Sequence, residues 1–446
     1  MKDVTIQASL YKRIFEIGGT LEVEVNIREN ELEIPLDLLT GMAARKNKKR
    51  CFLFVSKVIG KHIPIFSRIL SRGGYMLAHL FINKIENKSL PPHIFKGLTP
   101  DEVSPEAGHI LLKEPTLFIG FAETATGLGH AVYSTFRGNT GFLHTTRDNI
   151  KELSPLFLFD EEHSHAPLHR CYTLEKDFMK YFSRIVLIDD EITTGRTALN
   201  LIRSIHEIFP KKHYIVMSLL DWRSPEDIER YSALEGELNI EIDTVSLISG
   251  NIRYEGTFSE DTDYNIPKKN SISVNINTIK FPLENNYIFT LIDTYGRERK
   301  YLYNGINGRF GIYGEDNQKI SRLISQIASN LTEFRNSEKT LCLGCNEYIY
   351  IPAMIASEMD KNIYFQSATR SPIHSINKEG YAVKSAISFS NPFDDGIMNF
   401  VYNILPGQYE EIFFFLERDI DEEKKKAISE KFSSSGIKFL NFVVFC

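Results

Sequence analysis

Residues 184–197 read Arg-Ile-Val-Leu-Ile-Asp-Asp-Glu-Ile-Thr-Thr-Gly-Arg-Thr, and this stretch sets the fold class. Ile185 to Ile188 form a short, apolar, mostly β-branched run, the pattern of a strand buried on both faces of a parallel sheet. Asp189 and Asp190 stand at its carboxyl end and Glu191 follows. Thr193, Thr194, Gly195, Arg196 and Thr197 then lead into a segment where Ala198, Leu201, Ile202, Ile205, Ile208 and Phe209 recur at helical spacing before Pro210. A helix N-terminus offers main-chain N–H groups to an anion, and the threonine hydroxyls add donors, so the turn suits a phosphate dianion. The two carboxylates can accept hydrogen bonds from the vicinal hydroxyls of a pentose lying above the strand end.

Working outward, Tyr214 to Leu220 is a second buried strand, which delivers Asp221, Trp222 and Arg223 to the same edge. Ser224-Pro225-Glu226-Asp227 reads as an N-cap, a proline at the first helical position and an acidic first turn. Ile240 to Ile248 completes a βαβ series. Upstream, Pro115 to Gly120 is a strand followed by Ala122, Glu123, Thr124 and Ala125, then a helix through Leu128 to Tyr133. Small side chains there let backbone N–H groups approach an anion. Cys51 to Val55 is another strand, after which Lys57, Lys61 and His62 gather around Gly60 as candidate phosphate contacts. Pro35 to Ala44 reads as a short helix, and residues from about Tyr11 to Val25 as strand-rich with a turn at Gly18-Gly19. An α/β fold with a parallel sheet follows, its ligand at the carboxyl ends of the strands.

A chain of 446 residues has room for two or three domains. Its net charge of −6 gives no electrostatic reason to expect broad binding to nucleic acid or to anionic membranes. The basic run Arg45-Lys46-Asn47-Lys48-Lys49-Arg50 reads as a solvated face that can also attract an anionic substrate. No apolar run approaches the roughly 20 residues of a membrane span, and no apolar core of signal-peptide length follows Met1. Five scattered cysteines suit reduced thiols and a cytoplasmic setting. His163, His165, His169 and Cys171 fit no common zinc spacing.

In the second half, 251–280 reads as a polar, strand-poor linker between a first domain at 1–250 and a second at 281–446. Strands at Tyr287 to Asp293 and Arg299 to Tyr303, helices at about Ser321 to Phe334 and Ala353 to Met359, and a closing strand–helix–strand unit make the second domain α/β. Thr369, Arg370 and Ser371 follow a strand, and Arg370 with two hydroxyl donors can bind phosphate or carboxylate bidentately. Glu347 sits in the neighbouring turn as a candidate base or ligand. Cys342 and Cys345 read as core thiols.

The 185–197 stretch resembles the PRPP motif of the type I phosphoribosyltransferases, matching at Asp189, Asp190, Thr193, Thr194, Gly195 and Thr197. The tetrad Thr369-Arg370-Ser371-Pro372 resembles the TRSP family, which accompanies the PRTase_2 type of phosphoribosyltransferase in stress-response clusters linked to tellurium resistance. The resemblance implies a type I phosphoribosyltransferase fold joined to a second α/β domain. It also implies Mg²⁺-dependent transfer of 5-phosphoribosyl from PRPP to a nitrogenous acceptor, with pyrophosphate released, or a PRPP-binding regulatory protein without transfer. By the same resemblance, PRPP contacts Asp189 to Glu191, Thr193 to Thr197, the loop Ala122, Glu123, Thr124 and Ala125, and Lys57 and Lys61. Mg²⁺ is held by Asp189 and Asp190, largely through PRPP and water. A loop carrying Arg147, His163 and His165 closes over the leaving pyrophosphate, and Trp222 and Arg223 face the acceptor. A homodimer and co-encoded biosynthetic enzymes are the expected protein partners.

Overall fold

The computed structural model describes residues 11–445 except 20, 47–49, 92–93, 95–97, 99–109, 161–167, 259–271 and 285. Two sheets carry the architecture. The first runs, edge to edge, Lys12–Ile17, Leu21–Glu29, Glu241–Gly256, His213–Asp221, Arg184–Ile188, Ile110–Gly120, Phe136–His144 and Ile312–Tyr313. Its middle is parallel: Arg184–Ile188 pairs with His213–Asp221 on one side and with Ile110–Gly120 on the other. Every residue of Arg184–Ile188 is buried, as a two-sided parallel strand requires.

The second sheet runs Asn275–Phe281, Phe439–Phe445, Glu411–Leu416, Thr340–Cys345, Tyr364–Ala368 and Ile65–Phe66. All its neighbours are parallel except the last pair. Each sheet therefore ends on a strand from the other half of the chain. Ile65–Phe66 closes the second sheet against Tyr364 and Phe365, and Ile312–Tyr313 closes the first against Gly141 and Phe142.

Two expectations need correction. Only Leu36–Leu39 is helical in the segment read as a helix from Pro35 to Ala44; Thr40–Ala44 is extended and pairs antiparallel with Phe52–Ser56. Pairing with residues up to sixteen positions further along the chain overrode the local pattern. Nor is 251–280 strand-poor. Glu241–Gly256 switches partner after Ser249, leaving the parallel ladder for an antiparallel one with Leu21–Glu29, and Asn275–Phe281 opens the second sheet.

The remaining elements match the sequence pattern closely. Ser224 accepts from the Asp227 N–H and Asp227 reaches back to the Ser224 N–H, a reciprocal cap that starts the helix Pro225–Leu238. Cys342 and Cys345 are buried in the core, and burial pushes both thiols well above their usual range.

Candidate active site

Register places the two candidate loops side by side. Ile188, the last residue before the acidic pair, lies opposite Gly120, and Phe121 N donates to Ile188 O at 3.0 Å. Gly120 has no room for a side chain, since a Cβ would stand 2.6 Å from Ala125 O. The turn after it therefore folds tightly back, through a cis Ala122–Glu123 peptide, into the buried helix Ala125–Ser134.

On the neighbouring strand, Asp190 N donates to Asp189 Oδ1 at 2.9 Å, and both carboxylates are half-buried at the sheet edge. Gly195 takes φ +72° at the N-cap of the helix Arg196–Ile208, where a Cβ would strike the Tyr231 hydroxyl. Tyr231 Oη donates to Gly195 O at 3.2 Å and pins the turn. Gly195 brings no capping side chain, and Thr194 Oγ1 takes only the Arg196 N–H, at 3.4 Å, so the first turn keeps donors for an anion. Thr193, Thr194 and Thr197 are half-buried around it.

Arg50 comes from the basic run to this turn. Its Nη2 is 2.6 Å from Glu191 Oε1, its Nη1 donates to Thr193 Oγ1 at 3.1 Å, and its guanidinium lies 4.6 Å from the Phe52 ring centroid. Burial pushes the Glu191 carboxyl above its usual range, and Arg50 offsets part of that rise. Sequence reasoning read Arg50 as part of a solvated run. The signal that separates it is position: it ends the run directly before the buried strand Phe52–Ser56.

The Ala122–Ala125 loop is reached by residues from both halves. Lys61 Nζ contacts Thr124 Oγ1 and lies 3.4 Å from Glu123 Oε2. Thr369 Oγ1 donates to the same Glu123 oxygen at 2.9 Å, and Arg370 N lies 3.4 Å from it. The other oxygen, Glu123 Oε1, is buried with no hydrogen-bond partner among the described residues. Ser371 N donates to Thr369 Oγ1 at 3.1 Å, holding that hydroxyl in place. Beyond it the segment reaches the hairpin opposite, where His374 N donates to Ala44 O at 3.0 Å.

Glu347, 5 % exposed, faces the same loop cluster from the second half. Its carboxylate accepts from Thr146 Oγ1 at 2.6 Å, Arg147 N at 2.7 Å and Arg309 Nη2 at 3.1 Å. Arg309 also binds Glu417 at 2.5 Å, and Arg418 binds Asp148 at 3.0 Å. Burial alone would raise the Glu347 and Asp148 carboxyls. Arg309 holds Glu347 below its usual range, and Arg418 with Arg309 holds Asp148 below its own. A buried ionic network of this kind joins the two halves, and long-range pairing hid it from the sequence. Glu347, read from the sequence as a candidate base or ligand, has both oxygens engaged and holds the Arg147 backbone. Arg147 Nη2 lies 3.5 Å from Ala122 O.

Three expected site residues sit elsewhere. Lys57 Nζ donates to Asp37 O at 2.7 Å. Trp222 is 5 % exposed and stacks on Phe54 with ring centroids 5.1 Å apart, so it fills the core where an acceptor-stacking ring was expected. Arg223, also expected at the acceptor, is buried and spends its guanidinium on Asp221 at 2.7 Å, with its face 4.3 Å from the Tyr231 ring centroid. Trp222 and Arg223 directly follow the strand His213–Asp221, and Phe54 of the hairpin lies on the Trp222 ring. His163 and His165 lie outside the described residues. His169 packs on Phe159 and hydrogen-bonds Thr145 at 2.9 Å. No cluster of three metal-ligating side chains occurs among the described residues, and no helix there is long and apolar enough to cross a membrane.

The parallel sheet, the acidic pair before a helix and the small-residue loop beside it define a type I phosphoribosyltransferase fold joined to a second α/β domain. Residues 39–251 match the family model PRTase_2, described as phosphoribosyl transferase. Residues 306–432 match the TRSP domain found C-terminal to PRTase_2. The chain is thus a PRTase_2-family phosphoribosyltransferase domain followed by a TRSP domain.

Among solved structures, adenine phosphoribosyltransferase from Trypanosoma brucei, crystallised with AMP, pyrophosphate and ribose 5-phosphate, is 11% identical, over 53% of this chain and 86% of that one, with a TM-score of 0.30. The enzyme from Leishmania donovani is 15% identical, over 30% of this chain and 56% of that one, with a TM-score of 0.20. That from Giardia lamblia, complexed with 9-deazaadenine, is 15% identical over 31% and 71%, with a TM-score of 0.21. Nothing about the ligands of this chain follows from likenesses so shallow. No curated relative matches the chain by sequence.

Proposed function

We propose that this protein transfers the 5-phosphoribosyl group of PRPP to a small nitrogenous acceptor and releases pyrophosphate, as a step in a biosynthetic stress response. The observation that supports the reading is the register of Ile188 against Gly120, which puts the Thr193–Thr197 turn and the Ala122–Ala125 loop after adjacent strand ends. The 5-phosphate sits on the first turn of Arg196–Ile208 among Thr193, Thr194 and Thr197. The ribose hydroxyls donate to Asp189 and Asp190. The diphosphate lies over Ala122 to Ala125 beside Lys61, while Thr369 and Lys61 fix Glu123.

A lone-pair nitrogen of the acceptor forms the new bond to C1 as the C1–O bond breaks, and pyrophosphate leaves with that electron pair. Mg²⁺ commonly binds through one or two carboxylates, several waters and substrate phosphates, which suits the half-buried pair Asp189 and Asp190. When bound it neutralises the leaving diphosphate. Arg147, beside Ala122 O, adds positive charge at the same end.

The test is pyrophosphate release from PRPP and Mg²⁺ with a panel of nitrogenous acceptors, alongside PRPP titration. Asp189→Asn and Asp190→Asn together should abolish productive binding while leaving the unfolding midpoint unchanged. PRPP affinity without turnover against any acceptor would identify a PRPP-binding regulatory protein instead, and unchanged affinity in the double variant would remove the site assignment.

A further inference from the structure

A cavity of about 240 Å³ opens behind the Glu123 loop, between the two halves of the chain. Arg147, Arg170 and Arg370 line it together with Asn391, Phe393 and Asp394. Its carboxylates already have partners: Asp148 is 3.0 Å from Arg418, Asp293 is 2.6 Å from Arg297, and Asp394 accepts from Thr294 N at 2.9 Å and Thr294 Oγ1 at 2.7 Å. Arg170 Nη1 donates to Arg147 O at 3.3 Å, which brings those two arginines together on one wall.

Arg370 differs. Its Nε is buried with no hydrogen-bond acceptor, and its guanidinium forms no ion pair within 4 Å among the described residues. Behind Phe393, Arg418 is 3 % exposed; its Nη2 pairs with Asp148, while its Nε and Nη1 have no acceptor among the described residues. Buried guanidinium groups are ordinarily paired, because leaving the charge desolvated and unmatched is costly. Arg418 has Asp148, whereas half-buried Arg370 bears on Asp148 and Glu347 only at a distance, and its planar fork is the form that grips a carboxylate or phosphate through two parallel N–H bonds.

We propose that this cavity is a second oxyanion site beside the PRPP pocket, which takes a small phosphate- or carboxylate-bearing molecule on Arg370 with Arg170. The same residue ties the two sites together. Arg370 presents its side chain to the cavity and its main-chain N–H to Glu123 Oε2, at 3.4 Å. Occupancy of the cavity therefore bears on the geometry of the Glu123 loop. This coupling rests on the reading of that loop as the diphosphate site; the binding itself does not.

The test is calorimetric titration of the full chain with inorganic phosphate and, separately, with malonate, so that the two sources of oxyanion are told apart. The Asp189→Asn, Asp190→Asn double variant is titrated in parallel. At least one probe should bind wild type and double variant alike, and its affinity should fall at least tenfold in Arg370→Met and recover in part in Arg370→Lys. If Arg370→Met does not fold, Arg170→Gln on the facing wall should weaken the same probe. No binding of either probe, binding displaced by PRPP, or equal affinity in the arginine variants would overturn the proposal. Because PRPP affinity is measured separately, failure here leaves the transferase reading standing, and failure of PRPP binding leaves this one standing.

Discussion

Replacing Glu347 by Gln removes one charge and almost no volume, and the structure sets how much that should cost. The carboxylate receives three donors, Thr146 Oγ1, Arg147 N and Arg309 Nη2, from a site only 5 % exposed. A glutamine offers one carbonyl oxygen, and its NH₂ must face a donor. If that donor is Arg309, two N–H groups oppose each other and a buried guanidinium loses an anion. Breaking a buried pair from one side costs about 3–5 kcal/mol, because the partner charge stays behind. Arg309 keeps Glu417 at 2.5 Å, which argues for the lower end, about 3 kcal/mol. Urea unfolding followed by fluorescence measures this, and a double-mutant cycle with Arg309→Met should return a coupling of about 1–3 kcal/mol. A loss below about 1 kcal/mol, the level of an exposed surface pair, would refute the view that this network holds the two halves together.

Gly195→Ala should weaken PRPP at least tenfold in a binding titration, since the left-handed backbone costs a residue with a Cβ about 1–2 kcal/mol and that Cβ meets the Tyr231 ring. Trp222→Ala should cost about 3–5 kcal/mol in urea unfolding, while Trp222→Phe leaves the KM for any acceptor unchanged; a raised KM would return the ring to the acceptor site. Stability should also fall in acid. Asp148 and Glu347 have folded-state pKa values below those of the unfolded chain, so their contribution is complete above the ordinary carboxylate range and is lost as pH falls through the folded values. For Asp148 that window runs from 3.8 down to about 2. The urea midpoint should drop across it, and Asp148→Asn should flatten the drop; an equal slope in the variant would contradict the assignment.

How much of this was legible in the sequence depended on distance along the chain. The Arg184–Thr197 stretch is a local device, in which a strand, a turn and a helix start are each specified by neighbouring residues, and it appears in the structure as read. The cap at Ser224 is local in the same way. Thr40–Ala44 was misread because its conformation is set by pairing with Phe52–Ser56. Trp222 looked available because it follows a strand end, yet Phe54, far upstream in sequence, covers it. Most hidden of all was the convergence of Thr369 on Glu123, across 246 residues. Each side was recognisable as a polar turn after a strand, but only the fold reveals that the motif of the second half meets a loop of the first.

The exchanged edge strands bear on how such a chain can be made and cut. Until Ile312–Tyr313 has left the ribosome, the Phe136–His144 strand lacks its partner on that flank, and Ile65–Phe66, made long before the second sheet, waits in turn for Tyr364 and Phe365. A fragment ending near residue 250 would carry a bare ladder of N–H and C=O groups, an invitation to stick to its own kind. Dissecting the polypeptide at its apparent seam would thus yield two sticky remnants, and any shuffling of these halves among genomes must carry the borrowed strands along.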